Sequence, residues 1–596
     1  MNDLRKKIKI VWRAILFINS IERHLIAIQI LESALKAVYP FINLFMISLV
    51  IDAISKHSDM RVLIMYVFVM IFLNAVVNVV LAVISNIVGR KNFKFNHRYN
   101  MAIANKMMNM HYETLDSSKT HNLRMKISEA SSIYGSRIQK IIRYFPEVIN
   151  ALFTILFSTA VTLELFVNTS PGSDSGITYV TNNPFFAVIL FALLILTTII
   201  NMKMTSKSTK KIMDKYDLYI PVNKISNFYN NQYLDSYHAG KDIRLYNQEK
   251  IIINELEQNN KNCFKIDNDT AKIEYTYANV NSVISTFINI FIYVFVGFKA
   301  WIGAISVGNT VKYIASFNKF TGGFTSLMNL LSILISNNQY IEQTLEFMSI
   351  DDAIFKGNLP VIPLNNKYII EFVNVSFKYP DSDNYILQNI NFKIETGDNL
   401  AIVGENGSGK TTFIKLLCGL YKPTKGEILL NGKNIYDYRY DEYLQLFSVV
   451  FQDFKLLSFQ LGKNIAVCDE YDKEKVMDAI KKAGFMERFQ SLENGLDTYL
   501  YNDFDLNGVE ISGGEAQKIA IARAIYRDSE FIILDEPTAA LDPIAEFKIY
   551  SEFSNIMKGK TSICISHRLS SCRLCNKIAV FDRGEIIQYG NHNSLM

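Results

Sequence analysis

Two glycine-rich stretches in this chain precede helical patterns, and each could receive an anion. The first, Gly404-Glu405-Asn406-Gly407-Ser408-Gly409-Lys410-Thr411-Thr412, has the spacing G-x-x-x-x-G-K-[ST]. In such a loop backbone amides hold phosphates, the lysine reaches the β/γ oxygens and the next hydroxyl binds magnesium. The flanks that the motif needs are present: a strand candidate at Asn399–Val403 before it, and a helical pattern through Leu417 after it. The second stretch, Ser512-Gly513-Gly514, opens a pattern with Ala516, Ile519, Ala520 and Ala524 at helical spacing. Bare N–H groups at a helix start attract anions, and glycine allows a close approach.

A third group is acidic. Phe531–Leu534 has the length and β-branching of a buried parallel strand, and it ends in Asp535-Glu536. Carboxylates there would sit at the carboxyl edge of a sheet, where α/β folds bind ligands. Taken alone, such a pair is commonly a solvated loop. The phosphate loop with correct flanks on both sides weighs against that bland reading.

Elements of two kinds must position these groups. The chain has 596 residues and a net charge of only +5, enough for more than one domain. Long aliphatic runs fill the first 340 residues or so, and the remainder alternates short apolar strands with charged helices. Six apolar segments, approximately 25–54, 62–88, 145–167, 184–202, 280–305 and 311–336, each reach the ~20 residues that cross ~30 Å of hydrocarbon. Lys and Arg crowd the region before the first span and the stretches 89–144 and 203–279, whereas 168–183 has none. The amino terminus and both long loops are therefore expected in the cytoplasm. Ile8, Val11, Trp12, Ile15, Leu16 and Ile18 form one broad apolar face, read as an interfacial helix rather than a signal peptide.

The expected architecture is a six-span helical membrane domain over 1–345, a linker over 346–366 and an α/β phosphate-loop ATP-binding domain over 367–596. Cys263, Cys418, Cys468, Cys564, Cys572 and Cys575 are scattered, which argues against a disulfide framework. Cys572 and Cys575 have C-x-x-C spacing, but no second pair answers them, so a zinc site is not expected.

Read together, the motifs resemble those of the ATP-binding cassette (ABC) transporters, exporter type, over nearly the whole length. I-S-G-G-E stands at the family's signature, F-I-I-L-D-E at its Walker B strand and A-A-L-D at its D-loop. Gln452 in V-F-Q-D matches the Q-loop, His567 in I-S-H-R the switch histidine, and Tyr379 in F-K-Y-P the aromatic that stacks on adenine. The resemblance implies ATP with Mg²⁺ as ligands. It makes Glu536 the carboxylate that polarises the attacking water and Asp535, Thr411 and Gln452 the magnesium group. His567 would contact the γ-phosphate.

In the family the signature caps ATP held by a second cassette, so this single-cassette chain is expected to pair with a second half-transporter. Because every hydrolytic residue is present, a homodimer is favoured over a heterodimer. Cytoplasmic helix tips at Tyr112–Lys126 and Gly240–Asn247 would press on the ATP-binding domain. The wording around Gln452 and after the signature looks like bacterial exporters of peptides and bacteriocins. Multidrug or lipid export, and less readily an ATP-gated channel or sensor, are the alternatives; no nucleic-acid partner is expected. No amino-terminal protease domain is expected either, since few residues precede the first span. One departure stands out: Glu515 occupies the fifth signature position, where the family usually has glutamine. Glu32 and Lys36, spaced i, i+4 on the first span, read as a structural ion pair.

Overall fold

The structure, a computed structural model, describes residues 2–134, 137–167, 184–234, 239–336, 338–351, 357–536, 560–565 and 575–595. It divides into two compact units. One comprises Met1–Met108 and Asn122–Ile350; the other comprises Asp351–Met596 together with the distant segment Asn109–His121.

The first unit is built of helices. Leu25–Ser55, Met60–Asn109, Arg137–Val167, Pro184–Tyr229, Glu249–Trp301 and Val307–Ser336 cover the six apolar segments, except that the fifth runs four residues past its helix into a turn. Among the described residues, four helices are long and apolar enough to cross a bilayer: Leu25–Ser55, Met60–Asn109, Ile138–Leu165 and Glu249–Trp301. Val307–Ser336 has the length but carries Asn309, Lys312, Asn318 and Lys319. Met60–Asn109 and Glu249–Trp301, at 50 and 53 residues, far exceed a bilayer's thickness. The long basic loops are thus continuations of the spans as helix.

The most apolar window of Met60–Asn109 has no buried residue, with Phe68, Ile71 and Phe72 all facing outward. Lipid is the solvent that suits such a face. Polar side chains join the helices instead: Asn74 Nδ2 donates to Asn43 Oδ1 at 2.7 Å, and Asp52 accepts from Ser306 Oγ at 2.6 Å and from the Gly308 amide at 2.7 Å. Lys36 and Glu32 pair at 2.6 Å. The amino-terminal helix, Asn2–Ile21, does not keep a single apolar face. Ile15 and Ile18 are buried with Ile10 and Ala14 against Phe95, Tyr99 and Ile138, whereas Ile8, Trp12 and Leu16 stay exposed. The helix is therefore apolar on both of two stripes, one for the bundle and one for an apolar surrounding.

The second unit holds two sheets. Strands β1 (Ile369–Phe377), β2 (Leu387–Glu395), β4 (Lys425–Leu430) and β5 (Lys433–Asn434) form an antiparallel sheet in the order β2-β1-β4-β5. Strands β3 (Asn399–Gly404), β6 (Phe447–Val450), β7 (Phe531–Asp535), β8 (Thr561–Ile565), β9 (Lys577–Asp582) and β10 (Glu585–Gly590) form the other. Its order is β10-β9-β3-β8-β7-β6, parallel except for the β9–β10 hairpin. Strands β7 and β8 are buried along their whole length, which explains why they read as continuous apolar runs rather than alternating ones.

Candidate nucleotide site

The register of the parallel sheet collects the chemistry on one edge. Val450 pairs with Leu534, Asp535 with Ile565, Ile402 with Ile565, and Gly404 with Phe581. The residues that follow β3, β6 and β7 therefore leave the sheet side by side: the loop from Glu405, then Gln452, then Glu536. Strand β8 ends at Ile565, two residues short of His567, and His567 lies outside the described residues, as do the D-loop and Cys572.

The phosphate loop departs from β3 and feeds the helix Lys410–Leu417. Gly409, the residue before that helix, has φ 101°, which a side chain rarely tolerates; a Cβ there would lie 2.6 Å from Leu387. Gly404 is needed for closeness instead, since a Cβ would meet the Phe581 carbonyl at 2.2 Å. Glu405, Asn406 and Gly407 are exposed while Ser408, Gly409 and Lys410 are buried, so the loop opens outward and its lysine lies at the floor. Lys410 Nζ donates to the Gly404 and Glu405 carbonyls, both at 2.9 Å. Burial pushes the ammonium's pKa down, and the charges of Glu536 and Asp535 oppose that. An ammonium held at the floor of its own loop by backbone carbonyls is positioned to exchange them for phosphate oxygens.

Asp535 is 1% exposed. Its Oδ2 accepts from Thr411 Oγ1 at 2.9 Å, and its Oδ1 finds no hydrogen-bond partner among the described residues. Burial pushes this carboxyl above the ordinary range; Glu536 adds to the effect, while Thr411 and Lys410 oppose it. Gln452 Nε2 donates to Glu536 Oε2 at 3.1 Å, which leaves the amide oxygen of Gln452 available for another contact. Glu536 has φ 49°, a left-handed backbone conformation directly after the strand ends at Asp535.

A buried carboxylate oxygen without a partner, a threonine hydroxyl and an amide oxygen are hard oxygen donors. They fit Mg²⁺, which prefers few protein ligands and keeps waters and phosphate oxygens. Among the described residues no group of three or more His, Cys, Asp or Glu could hold a metal by itself. Such a site would form only together with the nucleotide's phosphates.

Tyr379 follows β1 and is half-buried. Its hydroxyl lies 3.0 Å from Thr412 Oγ1, and its ring meets Phe377 and Tyr421 edge-on at 5.1 and 5.3 Å. One side of it borders an open cleft of about 500 Å³ shared with Glu113, Lys378, Asp381 and Lys422. Glu113 comes from the segment Asn109–His121, which straps this unit. His111 Nε2 donates to the Gly419 carbonyl at 3.0 Å, Tyr421 OH donates to Asp116 Oδ2 at 2.7 Å, and the Lys422 amide donates to Glu113 Oε2 at 2.9 Å. The short helix Tyr112–Asp116 thus reaches Tyr421, whose ring packs on Tyr379.

The signature serine is the N-cap of Gly513–Arg527, closed by a capping box: Glu515 N donates to Ser512 Oγ at 3.4 Å, and Ser512 N donates to Glu515 Oε2 at 2.8 Å. Of the four positions that fixed the helical period, Ile519, Ala520 and Ala524 are buried. Neither Asp116 and Tyr421 nor Arg488, which pairs with Glu515, is marked by any motif in the sequence.

Residues 387–539 match the family model described as ABC transporter. The chain carries an ABC transporter domain. The subtilin transport ATP-binding protein of Bacillus subtilis is 35% identical over 365 residues, 60% of this chain and 58% of that protein. The nisin transport ATP-binding protein of Lactococcus lactis subsp. lactis is 32% identical over 362 residues, 60% of each. The ATP-dependent lipid A-core flippase of Escherichia coli (strain K12) is 39% identical over 229 residues, 38% of this chain and 39% of that one. These matches span less than two thirds of the relatives' own lengths. A solved bacterial Atm1-family ABC exporter with ATP bound is 20% identical, yet matches 96% of both chains with a TM-score of 0.77. The ABC domain and the helices before it therefore share the fold of an ABC exporter.

Proposed function

We propose that this chain is half of an ATP-driven exporter of the cytoplasmic membrane, hydrolysing MgATP at sites shared between two cassettes. The observation that carries this is the sheet edge where Lys410, Thr411, Gln452, Asp535 and Glu536 converge. Lys410 and the amides from Gly404 to Thr412 hold the triphosphate, and Tyr379 supplies a face for adenine. Bound Mg²⁺ supplies charge neutralisation of the phosphates, held by Thr411, Gln452 and Asp535. Glu536 orients a water in line with the γ-phosphorus and takes its proton as the bond to the bridging oxygen breaks, with His567 as the γ-phosphate contact. ADP and phosphate are the products.

Ser512, Gly513 and Gly514 are exposed or half-exposed, which suits a surface that meets ATP held by a second copy. We assign a twofold homodimer with two equivalent sites, since the chain contains a full hydrolytic set. ATP that contacts both copies favours the closed state, and hydrolysis releases it. The strap Asn109–His121 and the helix Gly240–Leu245, with Leu245 exposed at its end and Tyr246 exposed just beyond, are the elements we assign to coupling. A peptide is the favoured cargo, because the matches to the subtilin and nisin transport proteins cover more of this chain than the flippase matches do. A lipid is the second reading, favoured by the flippase identity.

The purified chain in nanodiscs tests each part. A dimer of one chain with MgATPase that rises cooperatively with ATP supports the homodimer. A monomer, or a dimer silent until a second ABC chain is added, overturns it. Stimulation across panels of cationic peptides, drugs and lipids separates the cargoes.

A further inference from the structure

Glu515 is an acidic residue in the first turn of a helix whose amides, on the reading above, must receive a triphosphate. Carboxylates stabilise helix starts because they offset the dipole. The same charge opposes an incoming phosphate, so this position has two conflicting demands. The structure shows how the conflict is contained. Glu515 Oε2 accepts from both the Ser512 amide and the Ser512 hydroxyl at 2.8 Å, so the carboxylate is folded back onto the cap. Its Oε1 lies 3.0 Å from Arg488 Nε. Arg488 belongs to the short helix Met486–Gln490, and its Nη1 donates to Ser491 Oγ at 3.1 Å while Ser491 Oγ donates to the Arg488 carbonyl at 2.7 Å. The serine fixes one end of the guanidinium by a hydrogen bond, whereas Nε meets the carboxylate as an ion pair without hydrogen-bond geometry.

The pair is also half-shielded, with side chains 38% and 25% exposed, so salt and water screen it only in part. Burial alone would raise the carboxyl's pKa, but Ser512, Arg488 and Lys518 together hold it below the ordinary range. The group is thus a carboxylate at neutral pH, and its charge needs an answering cation.

We propose that Arg488 is a positioning residue for the signature: it keeps Glu515 turned back on Ser512 and cancels its charge, so that the γ-phosphate of ATP held by a second copy meets a neutral cradle. The inference rests on the shared-site reading of the preceding section. Arg488 is then required only because residue 515 is acidic. An uncharged residue at 515 makes the arginine dispensable, which a purely structural arginine would not be.

The test is ATP turnover against ATP concentration for the full chain in nanodiscs, with R488Q, R488K, E515Q and the double variant R488Q/E515Q. R488Q is expected to raise the KM for ATP about three- to tenfold, with the defect shrinking as salt is raised. R488K, which keeps the charge but loses the planar geometry, falls between R488Q and the parent. E515Q lowers KM by up to about threefold, and R488Q/E515Q returns to the E515Q value rather than showing the product of the two effects. A double variant as impaired as R488Q, or melting temperatures that fall equally in both, would assign Arg488 to fold support and overturn the proposal. So would an R488Q enzyme with the parent's KM. E536Q anchors the underlying reading: a parent chain without Glu536-dependent turnover sinks the shared site and this inference together, whereas Glu536-dependent turnover that ignores R488Q overturns the inference alone.

Discussion

The ABC domain has two glycine-rich helix starts, and they are equipped in opposite ways. At Gly409–Lys410 the helix follows a loop whose lysine is buried, with its ammonium lying over the Gly404 and Glu405 carbonyls. At Ser512–Gly513 the helix is closed by an acidic capping box near the surface. The first start has a cation and a walled loop, so it can bind a polyanion unaided. The second has its own carboxylate in the first turn and little enclosure, which on the proposed shared-site reading leaves it to a phosphate that another surface helps to hold. A helix N-terminus is thus a general anion attractor whose use is decided by the side chains around it.

That contrast predicts different failures on the two sides. The largest effect should come at the edge that the phosphate loop faces: Glu536→Gln is expected to cut kcat by about a hundredfold or more while ATP still binds, since it removes a proton acceptor and leaves the loop intact. Single-turnover assays beside a nucleotide titration check this, and near-parental turnover would move the base elsewhere. Lys410→Ala should weaken ATP binding itself, by about ten- to a hundredfold, because the lost charge serves bound and reacting states alike. An unchanged dissociation constant by direct titration would break the contrast at its stronger end. Tyr379→Ala is expected to raise the dissociation constant about tenfold, the scale of one stacked base, with Tyr379→Phe close to the parent. Fluorescent-nucleotide binding resolves the three proteins.

Ser512→Ala sharpens the comparison from the other side. ATP binding to dilute chains should change by less than about twofold, but turnover at saturating ATP should fall about fivefold, because on the proposed reading the hydroxyl acts only in the closed dimer. Equal losses in binding and turnover would mean that the signature serves its own chain's nucleotide.

The phosphate loop and the carboxylate pair were legible in the sequence because each is local. Gly404–Thr412 is contiguous, and Asp535-Glu536 follows directly on an apolar run, so spacing alone reports the geometry. Longer-range links were not readable. Arg488 is 27 residues from Glu515 across irregular chain, with no period to connect them. Asp116 reaches Tyr421 over 305 residues, and a positional reading of Tyr112–Lys126 as a contact tip could not name either partner. The amino-terminal helix misled in a different way: hydrophobicity shows which residues avoid water but does not distinguish protein from lipid as what they meet. Ile15 and Trp12 therefore read as one face, though only Ile15 is buried.

The strap has a consequence for how the molecule is made. His111 and the Gly419 carbonyl that it reaches are 308 residues apart. A ribosome adding roughly 5–20 residues per second needs about 15–60 s to cover that distance. Throughout that interval His111 and Tyr112 exist without the surface they will cover, on a nascent chain whose apolar helices are already emerging. The ATP-binding domain in turn is completed by a piece synthesised long before it. Expressed from residue 367 onward, it would emerge with Tyr421 and the Gly419 carbonyl stripped of these partners. The boundary at which such a fragment is cut would then decide whether it stays soluble.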